Sequence, residues 1–281
     1  MTSDKQNVWQ KLGNIPEQYI YLGLAVVLVF PLLNPIGLPI PISTQSTTFY
    51  NAIDNLEPGD VVFFAFDAGS MTWMEQGLGA EVVMEHILSK PGVKIVGATI
   101  GPEGPMFWEQ TINKFDPSGY DKEYGVDIVW LGFFAGGETS SAALAKDIKE
   151  ATAGVDYYGN NLDDLPLMEQ VNNAEDFELL VVLSWGGTWE WWMNQWQMPY
   201  GIKEYVIPLA GVVAAMEPYI QSGQVQAIIN GARGAAEYEL LKKEPGRAVA
   251  GMDAQSIGHI YVALLIIVGN VGALIGRGRR S

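Results

Sequence analysis

No charged residue occurs between Glu17 and Asp54, and no acidic residue, lysine or arginine occurs from Ala254 to Gly276. Each end of the chain therefore carries a stretch that water solvates poorly. Tyr19 to Leu33 reads YIYLGLAVVLVFPLL and continues through NPIGLPIPI, while IGHIYVALLIIVGNVGALIG precedes Arg277, Arg279 and Arg280. A helix needs roughly 20 apolar residues to cross a bilayer, so membrane helices are expected over 19–40 and 257–276. Tyr19 and Tyr21 suit a headgroup boundary, and Pro31 is expected to kink or shorten the first helix. A cleaved leader peptide competes for the first stretch, but no small-x-small cleavage signal precedes its proline-rich exit.

Two spans place both termini on one side. Lys5, Lys11, Arg277, Arg279 and Arg280 flank the terminal sides, against Lys242, Lys243 and Arg247 on the inner flanks. The excess of basic residues favours cytoplasmic termini and an extracytoplasmic middle, with the opposite orientation as the alternative. Within the second span Gly269, Gly272 and Gly276 fall at i, i+3 and i+7, leaving one helix face smooth enough for another helix to approach closely. Asn270 lies beside that face. His259 has no second ligand one turn away and is read as an interfacial side chain.

The expected organisation is an N-terminal tail (1–18), the first span, a linker (41–56), an α/β domain (57–245), a second linker (246–256), the second span and a basic tail (277–281). Inside the domain, short apolar runs alternate with helical stretches. Strands are expected at 61–66, 93–100, 126–134, 177–183, 205–209 and 225–230, and helices at 71–90, 105–115, 140–151, 188–197, 212–222 and 232–243. Continuous Val, Ile, Leu and Phe runs mark strands buried on both faces. Single helices between strands imply right-handed βαβ crossovers. The expected fold is thus a doubly wound, mainly parallel, three-layer Rossmann-like α/β domain inserted between two terminal membrane helices. Residues 152–176, rich in Gly, Asn and Asp, read as a lid or a surface loop, with a helical stretch expected over 162–171.

Ligands of such sheets sit beyond the carboxyl ends of the strands. Those ends read DAGS, GPEG, AGGETS, SWGGT, AG and NGARG. None completes a GxGxxG or GxxxxGK[ST] motif, so dinucleotide and P-loop sites lack support. Asp67, Glu138, Ser184, Thr188 and Arg233 are the candidate ligand-binding residues, with Arg233 as anion clamp or, alternatively, paired with Glu237 at i+4. Ser184 lies in LSWGG rather than GxSxG, and His86, the domain's histidine, sits mid-helix among apolar neighbours, so no catalytic residue is assigned. The absence of cysteine and the presence of only two histidines remove disulfides, thiol chemistry and most metal centres. No cofactor is expected.

Five of nine tryptophans lie in SWGGTWEWWMNQWQMPY. Trp185, Trp189, Trp192 and Trp196 recur on one helical stripe that either packs in the core or meets a subunit, bilayer or ligand. Trp189, Trp192 and Trp196, with the three span glycines, are the candidate oligomer or membrane contacts. A formal charge of -16 repels nucleic acid. The expected partners are the lipid bilayer and further copies of the chain. The expected function is a self-associating membrane scaffold, with a membrane-tethered enzyme or small-ligand binder using the strand-end crevice as the alternative.

Overall fold

Uninterrupted runs of β-branched and aromatic residues cannot present a wet face, and the chain buries them from both sides. In the computed structural model residues 15–277 are described, the last three by their backbone alone. Six strands form one all-parallel sheet: β1 (Val61–Asp67), β2 (Lys94–Thr99), β3 (Ile128–Phe133), β4 (Leu179–Ser184), β5 (Lys203–Pro208) and β6 (Val225–Ile228). Their spatial order is β3-β2-β1-β4-β5-β6, so the winding reverses between β1 and β4. The register sets Val62 opposite both Ile95 and Leu179, and Asp67 opposite Ser184.

Helices α2 (Thr44–Asp54), α3 (Trp73–Ser89), α4 (Gly104–Phe115) and α9 (Gly231–Lys242) clothe one face. There Phe49, Met84, Ile87, Trp108 and Tyr238 are buried with Phe64 and Phe66. Helix α3 stops before Pro91-Gly92, where Gly92 at φ +70 sits against Pro58. The opposite face is covered by α5 (Glu138–Lys146), α6 (Ile148–Ala151), α7 (Thr188–Trp192) and α8 (Val213–Gln221). Asp147 separates α5 from α6: its backbone is extended, and its carboxylate accepts the Glu150 amide at 2.8 Å to start a new helix.

Segment 152–176 is largely exposed yet anchored in the core. Its short 3-10 turns bury Leu162, Leu167, Met168, Val171 and Ala174 in the apolar cluster on this face of the sheet. Ser43 caps α2 by accepting the Ser46 amide, and Phe49 and Ile53 are fully buried. This stretch, expected to be linker, is therefore part of the domain. Its central residues, TQSTTFYNAI, are mostly polar, yet Phe49 and Ile53 fall on one buried helix face.

The tryptophan run departs from a uniform stripe. Helix α7 opens into a π turn over Met193–Gln197, and Trp189, Trp192 and Trp196 all enter the core, each at most 1% exposed. Trp196 packs on Phe63 at 4.2 Å between ring centroids and donates its indole N–H to the Ser141 carbonyl at 3.0 Å. In this position none of the three meets a neighbouring subunit or a bilayer. Burial of rings this large outweighs any surface role.

The chain divides into two units, one formed by its ends up to Pro39 and from Pro245, the other by Ile40–Glu244. The terminal unit pairs α1 (Glu17–Leu33) with α10 (Arg247–Arg277). Among the described residues one helix, over Arg247–Leu274, is long and apolar enough to cross a membrane; α1, at 17 residues, is shorter. The expected first span over 19–40 is thus not supported. The helix ends where Asn34 precedes Pro35, because proline disfavours helical backbone in the residue before it, and Asn34 is extended. The expected linker 246–256 is helical from Arg247 onward.

The two helices run antiparallel. Gly23 lies under the Tyr261 ring, Tyr261 Oη donates to the Ile20 carbonyl at 2.9 Å, and Gly258 faces Leu28. Buried Asp253 accepts the amides of Ile36, Gly37 and Leu38 at 2.7–2.9 Å. Gly269 has open space around it and Gly272 is buried. Gly276 lies among the residues described by backbone alone, and Lys5, Lys11, Arg279 and Arg280 lie outside the described residues.

One buried group works against the fold. Glu204 of β5 is fully buried, and neither of its carboxylate oxygens has a hydrogen-bond partner among the described residues. Burial pushes its pKa well above the ordinary 4.5. The unfolded chain loses this proton first as pH rises, so between the two pKa values the folded state binds more protons and stability falls with rising pH. Glu204→Leu is expected to stabilise the domain by about 1–3 kcal/mol, with the gain over wild type growing as pH increases above 4.5. Urea unfolding at several pH values checks this; a constant difference, or a destabilised variant, contradicts it.

Candidate functional site

Reversal of strand order between β1 and β4 leaves the loops after these strands diverging, since α3 crosses to one face and α7 to the other. A crevice of about 400 Å³ opens there. Its walls come from the loops after β1 (Ala68, Gly69, Ser70, Met71, Thr72), β2 (Pro102, Glu103) and β4 (Trp185). Met71 is 98% exposed and Trp185 45%. Met74 and Met106 on neighbouring helices are also exposed, so the rim is unusually apolar.

Immediately beneath the crevice sits Asp67, fully buried. Its Oδ1 accepts the Ile100 amide at 2.8 Å and the Thr99 hydroxyl at 3.0 Å, and its Oδ2 accepts the Trp192 indole N–H at 2.7 Å. Desolvation raises its pKa, while these donors to the carboxylate pull the other way. Ser184 is occupied in similar fashion. Its Oγ accepts the Trp189 amide at 3.1 Å, lies 2.9 Å from Thr188 Oγ1 and donates to the Gly186 carbonyl at 3.0 Å. Gln76 of α3 donates to the carbonyls of Ser184 and Ile207, tying the ends of β4 and β5 together.

Asp67, Ser184 and Thr188 are therefore brought together as expected, but as the floor of the crevice rather than its lining. Two other candidates are placed elsewhere. Glu138, in the first turn of α5, accepts from Gln195 at 2.9 Å and Asn194 at 3.4 Å. Arg233 is no anion clamp in the crevice: it pairs with Glu237 at 3.0 Å and reaches the Pro41 carbonyl at 3.5 Å. Buried Glu237 in turn accepts from the hydroxyls of Ser43 and Ser46, so the expected i+4 pair prevails because α2 completes it.

The carboxylate that does line the crevice is Glu103, outside the expected set. It accepts the Ser70 amide, and that bond holds its pKa below the ordinary carboxylate range. Both Glu103 and Trp185 stand in strand-end loops visible in the sequence. Trp185 follows β4 directly, ahead of the tryptophan helix, and that offset is the signal separating it from the buried rings. Among the described residues lining the crevice, Glu103 carries the charge, and no nucleophile meets a histidine there. His86 belongs to another cluster, with Nδ1 2.8 Å from Tyr238 Oη, Nε2 3.5 Å from Asp54 and Tyr50 stacked on its ring. Burial, aided by Lys242, pushes its pKa down to about 4. Among the described residues no group of three His, Cys, Asp or Glu side chains is placed to hold a metal.

The fold and crevice define a doubly wound parallel α/β protein with a pocket at its topological switch point. No family model, curated protein or solved structure matches the chain.

Removal of the Asp67 carboxylate strands the buried Ile100 amide and Trp192 indole donors, while the Thr99 hydroxyl still reaches the Gly101 carbonyl. Asp67→Ala is expected to destabilise the domain by about 3–5 kcal/mol, and Trp192→Phe by about 1–3 kcal/mol. The double variant should lose less than the sum, since both changes delete the same bond. Chemical denaturation of the four proteins tests this, and strict additivity would show that the Asp67–Trp192 bond carries no energy.

Proposed function

We propose that this chain is a membrane-anchored α/β protein that binds a small, largely apolar ligand in the crevice at the carboxyl ends of β1, β2 and β4. The observation that carries the proposal is the open cavity of about 400 Å³ at the switch point, rimmed by Met71, Pro102 and Trp185. Its size falls within the range of small-molecule sites, roughly 300–1,000 Å³. Asp67, Ser184 and Thr188 are each hydrogen-bonded within the fold, which favours binding over chemistry.

The anchor is the α1–α10 pair. Leu22, Val26 and Phe30 on one helix and Ile260, Leu264 and Ile267 on the other are exposed apolar side chains that lipid would cover. The 28 residues of Arg247–Leu274 extend about 42 Å at 1.5 Å per residue, beyond the roughly 30 Å of a hydrocarbon core. Helix α1 reaches about 25 Å by the same rise, and the chain continues as extended backbone. Three amides of that extension are held by Asp253, and Pro35 and Pro39 have none to satisfy, as non-helical backbone near lipid requires. A two-pass topology with cytoplasmic termini remains the proposed arrangement, on the excess of basic residues flanking the terminal sides.

Two measurements test the proposal. The full chain should remain in the membrane pellet after alkaline extraction; release into the soluble fraction rejects the anchor. In mild detergent, small apolar fragments at about 100 times their Kd should stabilise the protein by about 2.7 kcal/mol, and Trp185→Ala should abolish the thermal shift. Failure of every fragment to shift wild-type Tm rejects the crevice.

A second reading, a self-associating scaffold, is favoured by one observation: Gly269 on α10 has no neighbour within 4 Å. Small residues exposed on a membrane helix admit a second helix. A homo-oligomer in mild detergent that becomes monomeric in Gly269→Leu supports it, and a wild-type monomer removes it.

A further inference from the structure

Parallel α/β sheets commonly receive anions at the first strand-to-helix turn, where backbone amides and a helix N-terminus converge. In this chain the amide of Ser70, in the turn after β1, donates to the carboxylate of Glu103, which arrives from the loop after β2. An incoming phosphate or carboxylate would have to displace this internal anion and then sit beside its charge. No lysine or arginine among the described lining residues offsets that repulsion. The same sheet edge carries two further carboxylates, Glu75, which accepts the Ala210 amide at 2.7 Å, and Glu138.

Trp185 and Glu103 flank a single point. A methyl group placed on Gly69 would lie 3.7 Å from Trp185 Cβ and 3.8 Å from Glu103 Oε2. Half-exposed Trp185 and the Glu103 carboxylate line the same cavity, whose other walls are largely apolar, and so provide two attractions for one kind of group. The aromatic quadrupole and the negative charge both favour a cation, and the apolar walls favour a hydrocarbon body next to it. Exposed Met71 at the rim is flexible and polarisable enough to adapt to such a body. The formal charge of -16 raises the local concentration of cations further.

Building on the crevice proposed above, we infer that its ligand is an organic ammonium ion on an apolar body, held between the Glu103 carboxylate and the Trp185 indole. The ammonium comes either from a free amine or from the headgroup of a lipid, and the two sources share this chemistry.

The experiment uses the full chain in maltoside micelles and a matched series of probes: phenethylammonium, neutral phenylethanol and anionic phenylacetate, with a short-chain phosphoethanolamine lipid as the headgroup arm. Calorimetric titration should rank the ammonium about tenfold above the neutral probe, with phenylacetate weakest. Glu103→Gln should weaken the ammonium by about five- to tenfold and leave phenylethanol within about twofold, whereas Trp185→Leu should weaken both. Glu103→Asp, which keeps the charge, should retain part of the preference. Raising the salt concentration should reduce the ammonium's advantage. Glu103-dependent binding in the lipid arm alone supports the inference with the headgroup as the source. Equal affinity for ammonium and neutral probes, or a preference for phenylacetate, overturns the cation inference while leaving the crevice as a binding site. Absence of binding by every probe overturns both.

Discussion

The structure turns on one buried carboxylate. Asp67 ends the central strand β1 where the winding reverses, and three donors from two different segments converge on it. Thr99 and Ile100 bring in the end of β2, and Trp192 brings in the helix that follows β4. An ionisable group with no exposure is tolerable only when its acceptor capacity is met, so these three segments are held to one arrangement. The crevice inherits its shape from this bond set. Its walls are the loops that leave β1, β2 and β4 just above Asp67, and they are positioned by a floor that has no room to shift.

The same bond explains why the tryptophan helix faces inward. An indole buries a large apolar surface but brings one N–H that needs an acceptor. Trp192 finds it in Asp67 and Trp196 in the Ser141 carbonyl. A π turn spans Met193–Gln197, and both rings are buried in the core. Helical spacing alone showed that Trp189, Trp192 and Trp196 share a stripe. Which way the stripe turned depended on an acceptor from another strand, and such a partner is invisible in local sequence.

The strands were legible because parallel strands buried on both faces need continuous apolar runs, and VVFFAF, KIVGAT and LLVVLS contain few polar interruptions. Single helices between them restricted the topology to right-handed crossovers, and the parallel sheet followed. What escaped was long-range. Arg233 had two possible roles until α2 supplied Ser43 and Ser46 around Glu237, and α2 itself lies in the stretch 41–56 that reads as linker because its residues are mostly small and polar. Segment 152–176 looked like surface because its Gly, Asn and Asp residues outnumber its Leu and Met, yet the latter are the residues that pack. In the terminal pair, Gly23 and Gly258 meet side chains of the other helix. GALIG drew attention through its spacing, but spacing does not identify the side chain opposite.

Glu103 brings the crevice and the sequence together. A strand-end loop with glycines is normally read for the anion its amides will accept, and the GPEG and DAGS loops invite that reading. The chain answers it internally, because the Glu103 carboxylate takes the Ser70 amide that an external anion would need. A loop built to bind phosphate leaves such donors facing solvent, and a merely structural loop would have no reason to leave Trp185 half exposed beside a surface carboxylate. Closing the anion site from within while keeping an indole at its mouth reverses the electrostatic preference of the switch point without altering the fold. The geometry is inherited from the parallel sheet, and the proposed selectivity rests on one side chain placed across it.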